Sequence, residues 1–329
     1  MSRPKVFVTR IIPEVGLEMI RAACETVVWP EQLPPSPEKL RELTADCDGL
    51  VSLLTDKIDG EFLSACPKLK VVSNFAVGVN NVDVAACTSR GIPVGSTPDV
   101  LTEATADIAV TLLLAAARRL VESASDAKEG HWLTWEPLGW LGQDLVGRTL
   151  GIVGMGRIGF ATAKRLHHGW GMKVLYTARS AKPQADQELG ARYVEMTELL
   201  ALSDYVSIHA DLNPTTKNLF STPQFQQMKP TAVFVNTSRG PLVDQVALAD
   251  ALRRKVIFAA GLDVTDPEPL PPEHELYGLS NCVITPHIAS ATIDTRNAMA
   301  RMCAENLLAG VFGKRLPNCV NPETQNERV

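Results

Sequence analysis

The feature that most restricts the fold of this chain is a glycine-rich loop, the Gly-Met-Gly-Arg-Ile-Gly run at residues 154–159. An apolar run at residues 149–153 directly precedes the loop and predicts a buried strand, and the residues after it predict a helix. In that setting Gly154 permits a tight turn, Gly156 lets backbone N–H groups approach a pyrophosphate, and Gly159 lets the helix lie close to the strand. The loop therefore predicts a dinucleotide site. Its predicted cofactor-binding residues are Gly154, Gly156, Arg157, Ile158 and Gly159.

The rest of the chain repeats this alternation of short β-branched runs and amphipathic segments. Before the loop, strands are predicted at residues 5–9, 49–54 and 69–73, with helices starting near Pro13 and Asp59. The rhythm predicts parallel α/β layers, and a length of 329 residues favours two domains. After the loop, strands are predicted at residues 174–177, 205–209, 232–236, 259–264 and 283–285.

Two longer helical patterns accompany these strands. Residues 102–128 are rich in Ala, Leu and Arg and contain neither Gly nor Pro, so they predict one helix that is the longest of the chain. A second helix is predicted at about residues 292–310. Only 42 residues follow His287, which is too few for a further domain.

Composition argues against several kinds of partner. The net charge is −5, with 21% charged and 45% hydrophobic residues, which gives no electrostatic reason to expect nucleic acid or an anionic membrane. No stretch approaches the roughly 18 to 20 apolar residues of a membrane span, and the N-terminal apolar run is too short for a signal peptide. We therefore expect a small-molecule ligand.

The cysteines and histidines give no pattern typical of a metal site. The seven cysteines are odd in number, scattered and never arranged as Cys-x-x-Cys. They are poor material for a disulfide framework or a zinc site, so we predict a reducing compartment, the cytoplasm. His167 and His168 are adjacent on a predicted helix and point in different directions, which argues against a shared metal ion. No metal is predicted.

The residues after the second strand of the dinucleotide unit indicate which cofactor is bound. About 20 residues beyond the glycine loop, an acidic side chain normally binds the ribose 2′-hydroxyl of NAD. This chain has Ala178 there, followed by Arg179 and Ser180, both predicted to bind the cofactor. Without the carboxylate a 2′-phosphate is not repelled, and the guanidinium can bind it through charge-assisted hydrogen bonds. NADPH is therefore the preferred cofactor, with NADH also usable; the alternative is that Arg179 is a solvated loop charge.

Three later strand ends each carry a polar or charged cluster, at residues 236–240, 261–269 and 285–290. Ligands bind at such carboxyl ends in open α/β sheets. With these clusters in this order, the chain resembles the D-isomer-specific 2-hydroxyacid dehydrogenases over nearly its whole length, with its nearest likeness in their glyoxylate reductase/hydroxypyruvate reductase branch.

That resemblance implies an architecture. It implies an α/β fold of two Rossmann-like doubly wound parallel-sheet domains, with the active site in the cleft between them. Residues 1–100 plus 291–329 would form a discontinuous substrate-binding domain, and residues 101–290 an inserted NAD(P)-binding domain. The resemblance also implies a homodimer.

The chemistry of keto-acid reduction assigns roles to three charged residues. The reaction needs a clamp for the substrate carboxylate, a proton donor for the carbonyl oxygen and a nicotinamide held for hydride transfer. Arg239 fits the clamp, because its planar fork can bind the carboxylate and stabilise the charge that develops on the oxygen. His287 fits the proton donor, and Glu268 would orient the imidazole and favour its protonated form. The resemblance implies the same assignments. The alternatives are a surface ion pair for Arg239, a turn residue for Glu268 and a backbone-satisfied imidazole for His287.

Further contacts are predicted around these three. Asp263 resembles a family position near the nicotinamide, although an aspartate at a strand end can equally cap the following turn. Val77 and Gly78 match the family's substrate loop, where Gly78 would expose backbone N–H groups to an anion, and Leu54 resembles a second wall; a turn without ligand contact is the alternative. The predicted substrate-binding residues are Leu54, Val77, Gly78, Arg239, Asp263, His287 and Ser290. The further predicted cofactor-binding residues are Asp211, Thr237, Asp263 and Ala289.

Other aromatic residues and histidines are assigned to contacts rather than to catalysis. His209 ends a strand before a loop that resembles the family's cofactor-side loop, so it is expected to contact the dinucleotide. Trp132, Trp135 and Trp140 precede the dinucleotide strand and could belong to the core or to an interface. Because the family is commonly dimeric through this region, we favour the interface.

Two rival functions stay open at this point. A dehydrogenase of the phosphoglycerate type would need cationic side chains for a phosphate, yet residues 50–56 and 74–83 contain no Lys or Arg. A non-enzymatic, cofactor-sensing binding protein on the same fold is compatible with the motifs above. The favoured interpretation is NADPH-dependent reduction of small 2-keto acids, glyoxylate to glycolate and hydroxypyruvate to D-glycerate, without a ranking between them.

Overall fold

A computed structural model describes residues 3–325 of the chain, and in it the β-branched runs form short strands separated by helices. The strands are β1 (Lys5–Val8), β2 (Glu25–Val28), β3 (Gly49–Ser52), β4 (Val71–Asn74), β5 (Val94–Gly95), β6 (Thr149–Val153), β7 (Lys173–Thr177), β8 (Arg192–Tyr193), β9 (Tyr205–Ile208), β10 (Val233–Asn236), β11 (Ala259–Leu262) and β12 (Cys282–Ile284). The helices are α1 (Glu14–Ala23), α2 (Pro37–Thr44), α3 (Gly60–Ala65), α4 (Val84–Ser89), α5 (Thr102–Ala117), α6 (Leu120–Lys128), α7 (Arg157–Trp170), α8 (Pro183–Leu189), α9 (Met196–Leu202), α10 (Thr222–Gln227), α11 (Gln245–Arg253) and α12 (Ile293–Val311). Within the described residues, none of these helices has the length and hydrophobicity required to cross a bilayer.

The chain divides into two compact units. The first unit contains the described residues up to Leu101 and those from Ala291 onward, and the second contains Thr102–Ser290. Each unit has its own sheet, and every strand pairing within the two sheets is parallel. The predicted fold class, α/β with two doubly wound parallel-sheet domains, is confirmed.

The first unit is a five-stranded sheet in the order β2-β1-β3-β4-β5, and its core is completed by α12. Glycines allow that helix to lie unusually close to its neighbours. An added Cβ on Gly16 of α1 would lie 2.6 Å from the carbonyl oxygen of Ala300, and one on Gly310 of α12 would lie 2.4 Å from Cβ of Val71. Larger side chains at either glycine would push α12 away from α1 or from β4.

The second unit is a seven-stranded sheet in the order β12-β11-β10-β9-β6-β7-β8. The chain runs outward from β6 to β8 on one side and then returns to add β9 to β12 on the other, which places the switch point between β6 and β9. Side chains within a strand alternate between two cores: Leu150 and Ile152 of β6 enter one, and Val153 enters the other. Ligand-binding loops are therefore expected where β6 and β9 end.

The prediction of one helix at residues 102–128 is wrong. Helix α5 ends at Ala117, Arg119 takes a left-handed conformation with φ of 53°, and α6 begins at Leu120. The guanidinium of Arg119 lies over the ring of Trp140, 4.7 Å from its centroid, and its Nε pairs with Glu122. Most positions of α5 are buried whereas α6 buries none, so the two segments pack differently although neither contains Gly or Pro. The longest helix is α12, with 19 residues.

Candidate active site

The three polar clusters follow β10, β11 and β12, which are neighbouring strands of the second unit. Asn236 pairs with Leu262, and Leu262 pairs with Ile284, so the three strands reach their carboxyl ends in register. Parallel strands that end together send their loops out from one edge of the sheet. The sheet thus brings together three loops that lie about 20 residues apart along the chain.

A carboxylate–imidazole pair joins the loops that follow β11 and β12. Nδ1 of His287 is hydrogen-bonded to Oε1 of Glu268, and the two side chains are 25% and 41% exposed, respectively. The N–H of Thr265 donates to Oε2 of Glu268 at 3.5 Å. The imidazole is therefore held by a carboxylate rather than by backbone groups. Because Nδ1 is the nitrogen that Glu268 holds, Nε2 is the nitrogen that can face a substrate.

The backbone of His287 is held by Asp263, which is fully buried at the end of β11. Oδ1 of Asp263 accepts from the N–H of Ile288 at 2.8 Å and from Oγ1 of Thr285 at 2.7 Å, and Oδ2 accepts from the N–H of Ala289 at 2.8 Å. Within this clamp His287 has a φ of 53°, the left-handed region that a non-glycine residue rarely adopts. Asp263 thus caps the turn that carries His287, which follows the neighbouring strand β12, and not the turn that directly follows its own strand.

The loop that carries Glu268 is fixed from α11. The N–H of Asp266 donates to the side-chain oxygen of Gln245 at 3.2 Å, and the side-chain nitrogen of Gln245 donates to the carbonyl of Asp266. The peptide bonds that precede Pro267 and Pro269 are cis. Nothing in the sequence singles out Gln245, because 21 residues separate it from Asp266.

Arg239 lies in the loop after β10. Its backbone carbonyl accepts from the side chain of Asn236 at 2.9 Å, and its own Nη1 donates to the carbonyl of Ser238 at 2.7 Å. The next residue must be glycine, because a Cβ on Gly240 would lie 1.9 Å from the carbonyl oxygen of Thr265. Burial lowers the pKa of the Arg239 guanidinium, while the negative charge of Glu268 raises it. An arginine remains charged under both influences, so a partly desolvated cation lies near the carboxylate–imidazole pair.

The glycine loop has the geometry that a dinucleotide requires. Gly154 has a φ of 100°, and a Cβ there would lie 2.6 Å from the carbonyl of His209, where β9 ends. A Cβ on Gly159 would lie 2.3 Å from the carbonyl oxygen of Gly154, whereas one on Gly156 would meet no atom within 4 Å. Helix α7 begins after Gly156, which has no side chain that could cap the helix. Gly156 and Arg157 are exposed and Ile158 is half-buried, which leaves this helix end open to a pyrophosphate.

Two further polar residues directly follow β9 and β10. Oγ1 of Thr237 is buried and, within the described part of the chain, has no hydrogen-bond partner. His209 shares a hydrogen bond of 2.9 Å between its Nε2 and Oγ of Ser207. Burial lowers the pKa of His209 to about 3, so its imidazole is neutral beneath the glycine loop.

The residues predicted to select the cofactor lie beyond β7. Arg179 is 94% exposed, and its Nη2 lies 3.3 Å from Oδ2 of Asp211, which is 83% exposed. Ser180 is also exposed, and the hydroxyl of Tyr193 donates to the carbonyl of Ala178 at 3.1 Å. A pair in full solvent contributes little to stability, so Arg179 can exchange its carboxylate partner for a phosphate at small cost.

The predicted substrate residues of the first unit follow two neighbouring strands. Leu54 follows β3 and is 38% exposed, and Val77 follows β4 and is 40% exposed. Ser52 pairs with Asn74 at the ends of these strands, so the two loops begin side by side. Gly78 is half-buried, next to Val77.

The three tryptophans do not belong to the core. Trp132 is 72% exposed, Trp135 is 80% exposed and Trp140 is 42% exposed. Leu133 and Leu138 in the same segment are more than four-fifths exposed. An apolar segment of this size in water is typical of an interaction surface.

Ser290 and Ala289 complete the set of predicted residues in the second unit. Both are buried, at 9% and 6% exposure, in the turn that Asp263 caps. The second unit therefore brings Arg239, Glu268, His287 and Asp263 to one edge of its sheet, with the glycine loop emerging at the same edge.

Comparison with known proteins agrees with this geometry. A family model described as the D-isomer specific 2-hydroxyacid dehydrogenase, NAD binding domain, matches residues 110–289. A glyoxylate reductase of Korarchaeum cryptofilum is 50% identical over 99% of this chain and 98% of its own length. A glyoxylate reductase of Thermococcus litoralis is 47% identical over 98% of both chains.

Solved structures show the same architecture. A protein of Thermus thermophilus superimposes with a TM-score of 0.91 at 47% identity, covering 96% of this chain and 99% of that one. An NADPH-dependent glyoxylate/hydroxypyruvate reductase of Sinorhizobium meliloti, solved in complex with NADP and malonate, superimposes with a TM-score of 0.86 at 32% identity, covering 100% of this chain and 99% of that one.

Proposed function

The chain belongs to the D-isomer-specific 2-hydroxyacid dehydrogenase family and is an NAD(P)-dependent enzyme, and we propose that it uses NADPH to reduce glyoxylate to glycolate and hydroxypyruvate to D-glycerate. The observation that carries the proposal is the hydrogen bond between His287 Nδ1 and Glu268. Arg239 follows β10, which is the neighbour of the strand that precedes Glu268. The names of the relatives from Korarchaeum cryptofilum and Sinorhizobium meliloti support the same substrates.

His287 is the proposed proton donor. When bound, the nicotinamide supplies the hydride that reduces the carbonyl carbon. The carbonyl oxygen then needs a proton, which Nε2 of a doubly protonated imidazole can deliver. Glu268 keeps the other proton on Nδ1 throughout, so the imidazole that remains is neutral and already oriented. One proton and one hydride together turn the keto group into a hydroxyl.

Arg239 is the proposed clamp. A small 2-keto acid offers a carboxylate and an adjacent carbonyl oxygen, which the two edges of a guanidinium can bind together. Its partial burial strengthens this interaction, because water competes less for the charge. The same positive charge stabilises the oxygen as negative charge develops there.

The NADPH preference is part of the proposal. The glycine loop would hold the pyrophosphate, and Arg179 would bind the 2′-phosphate in place of Asp211. Ala178 stands where an NAD-specific carboxylate would repel that phosphate. NADH lacks the phosphate, so it would bind through the remaining contacts and more weakly.

A homodimer in the cytoplasm completes the proposal. The exposed apolar segment around Trp132 and Trp135 needs a partner surface, and a second copy of the chain is the simplest one. Light scattering should give twice the monomer mass, and Trp135→Ser combined with Leu138→Ser should lower it. The cysteines are free thiols, five of them buried, which suits a reducing compartment.

The function is tested by a matrix of initial rates with NADPH and NADH against a panel of 2-keto acids. We expect the highest kcat/KM with NADPH and a two- or three-carbon keto acid. Cofactor binding without turnover of any keto acid would instead identify a cofactor-sensing binding protein, and turnover confined to phosphorylated keto acids would identify a different dehydrogenase.

A further inference from the structure

Two loops of the first unit are joined by side-chain amides. They are the turn after β3, which carries Leu54, and the turn after β4, which carries Val77 and Gly78. Both Leu54 and Val77 are more than one-third exposed, so their own burial does little to fix the tip of either loop. Something else must hold them in one conformation.

Asn74 is the first of these amides, and it is fully buried at the end of β4. Its Nδ2 donates to the carbonyl of Gly78 at 3.0 Å and to Oδ1 of Asn81 at 3.2 Å. Its Oδ1 accepts from the hydroxyl of Ser52 at 2.9 Å, and Ser52 is also fully buried. Asn74 therefore connects the end of β3 to the turn that follows its own strand.

Asn81 is the second amide, and it reaches back to the turn after β3. Its Nδ2 donates to the carbonyl of Leu53 at 2.9 Å and to the carbonyl of Asp56 at 3.0 Å. The same nitrogen lies 3.3 Å from Oδ1 of Asn74, so the two amides contact each other directly.

The turn after β3 is also held by the carboxylate of Asp56. The N–H of Leu53 donates to Oδ2 of Asp56 at 2.7 Å, and the hydroxyl of Thr9 at the end of β1 donates to the same oxygen. Asp56 is 2% exposed, and burial raises the pKa of its carboxyl. The carboxylate of Asp56 thus links the turn to its own first residues and to β1, and Asn81 binds the turn at two of its carbonyls.

We infer that Asn74 and Asn81 are positioning residues that fix the Leu54 turn and the Val77–Gly78 turn relative to each other, and so set the shape of the substrate site on the first unit. The inference rests on the proposed function, in which these two turns bind the keto acid. Neither amide needs to touch the substrate. An apolar side chain of similar size cannot replace either one, because each amide both donates and accepts. Its loss would remove the side-chain donor from the carbonyl of Gly78 or from those of Leu53 and Asp56.

The test compares Asn74→Ala and Asn81→Ala with a matched control, Asn321→Ala. Asn321 is 1% exposed in the same unit, its Nδ2 donates to the carbonyl of Ile92 at 3.0 Å, and its Oδ1 accepts from the N–H of Val94 at 2.8 Å. All three variants therefore lose one amide with a comparable set of hydrogen bonds; Asn74 and Asn321 are buried and Asn81 is half-buried. Only the first two lose a connection between the turns.

We expect the KM for the keto acid to rise roughly tenfold in Asn74→Ala and Asn81→Ala, since a misplaced binding loop costs about that much. The dissociation constant of NADPH, from fluorescence titration, should stay within about twofold, because the glycine loop belongs to the other unit. Asn321→Ala should lower the melting temperature by a similar amount while its KM stays within about twofold.

The inference is overturned if KM is unchanged in both variants, or if it rises equally in Asn321→Ala and so merely follows stability. If the alanine variants do not fold, Ser52→Ala decides, since it removes one hydroxyl and keeps both amides; a KM rise of about twofold to threefold is expected, and no rise overturns the inference. Leu54→Ala and Val77→Ala distinguish a failure of the proposed substrate loops from a failure of the positioning role. If neither alters KM, the proposed substrate loops are wrong; if they alter it while the asparagine variants do not, only the positioning role fails.

Discussion

The glycine loop after β6 and the histidine loop after β12 lie at one edge of the same sheet and are built in opposite ways. The glycine loop depends on missing side chains, since a Cβ on Gly154 or Gly159 would lie within 2.6 Å of backbone atoms. The histidine loop depends on a side chain that is present, the buried carboxylate of Asp263, which accepts two backbone N–H groups and a hydroxyl. The first loop presents backbone dipoles and the second presents an imidazole. Changes at the histidine loop should therefore reduce the rate, whereas changes beside the glycine loop should alter cofactor choice and stability.

The largest effect is expected from His287→Ala. Loss of the proton donor should lower kcat by about 10²- to 10⁴-fold, the range typical of general acid catalysis. The dissociation constant of NADPH should hardly change, because His287 plays no part in building the glycine loop. Steady-state rates and fluorescence titration measure the two quantities, with the exposed His168→Ala on α7 as the control. Near-normal turnover by His287→Ala would refute the assignment.

Asp263→Asn should give the next largest effect, although the imidazole itself is kept. An amide presents one acceptor and one donor to a site with three donors, so the left-handed turn at His287 should loosen and kcat should fall roughly 10- to 100-fold. Asp244→Asn is the control, because Asp244 also accepts two backbone N–H groups, those of Val246 and Ala247, at the start of α11. Equal losses of kcat in the two variants would show that the effect is merely one of stability.

Arg179→Asp should change the choice of cofactor beside the glycine loop. The new carboxylate would repel a 2′-phosphate and could bind a ribose hydroxyl, so kcat/KM with NADPH should fall about 10- to 100-fold relative to NADH. Arg192→Asp, a change at an exposed arginine of β8, is the control. An unchanged NADPH to NADH ratio in Arg179→Asp would mean that Arg179 is only a solvated charge.

The smallest effect concerns pH and His209. Because burial lowers the pKa of His209 to about 3 in the folded state, the unfolded chain binds more protons as the pH falls below its ordinary value near 6.5. The contribution of His209 to the free energy of unfolding should therefore be fully present above pH 6.5. On acidification that free energy should fall by up to about 1.4 kcal/mol per pH unit. In His209→Asn the melting temperature should depend less on pH between 6.5 and 5.0 than in the wild type or in His168→Asn. Identical pH profiles for all three would contradict a buried neutral imidazole.

The comparison of the two loops also explains what the sequence could predict. The glycine loop can be predicted because its three glycines, Gly154, Gly156 and Gly159, follow a strand at fixed spacing within six residues of the sequence. Hydrogen bonds to Asp263 come from residues 22 to 26 positions away, and nothing local distinguishes a clamping aspartate from a capping one.

Other features escaped prediction for related reasons. Strands β5 and β8 have two residues each, too few to show a period. The break at Arg119 contains neither Gly nor Pro, and the contact of its guanidinium with Trp140 joins residues 21 positions apart. The amides of Asn74 and Asn81 act across two strands, so only the folded sheet brings their partners together.

The way α12 packs on α1 and β4 has a consequence for synthesis. The first unit needs residues near both ends of the described chain, since Gly16 lies against Ala300 and Gly310 against Val71. During synthesis, the earlier part of this core therefore lacks α12 until nearly 200 further residues have been translated. The intervening unit is continuous in sequence and can fold first. The apolar faces of α1 and β4 stay uncovered during that interval, so this part of the chain is open to aggregation until α12 has been made.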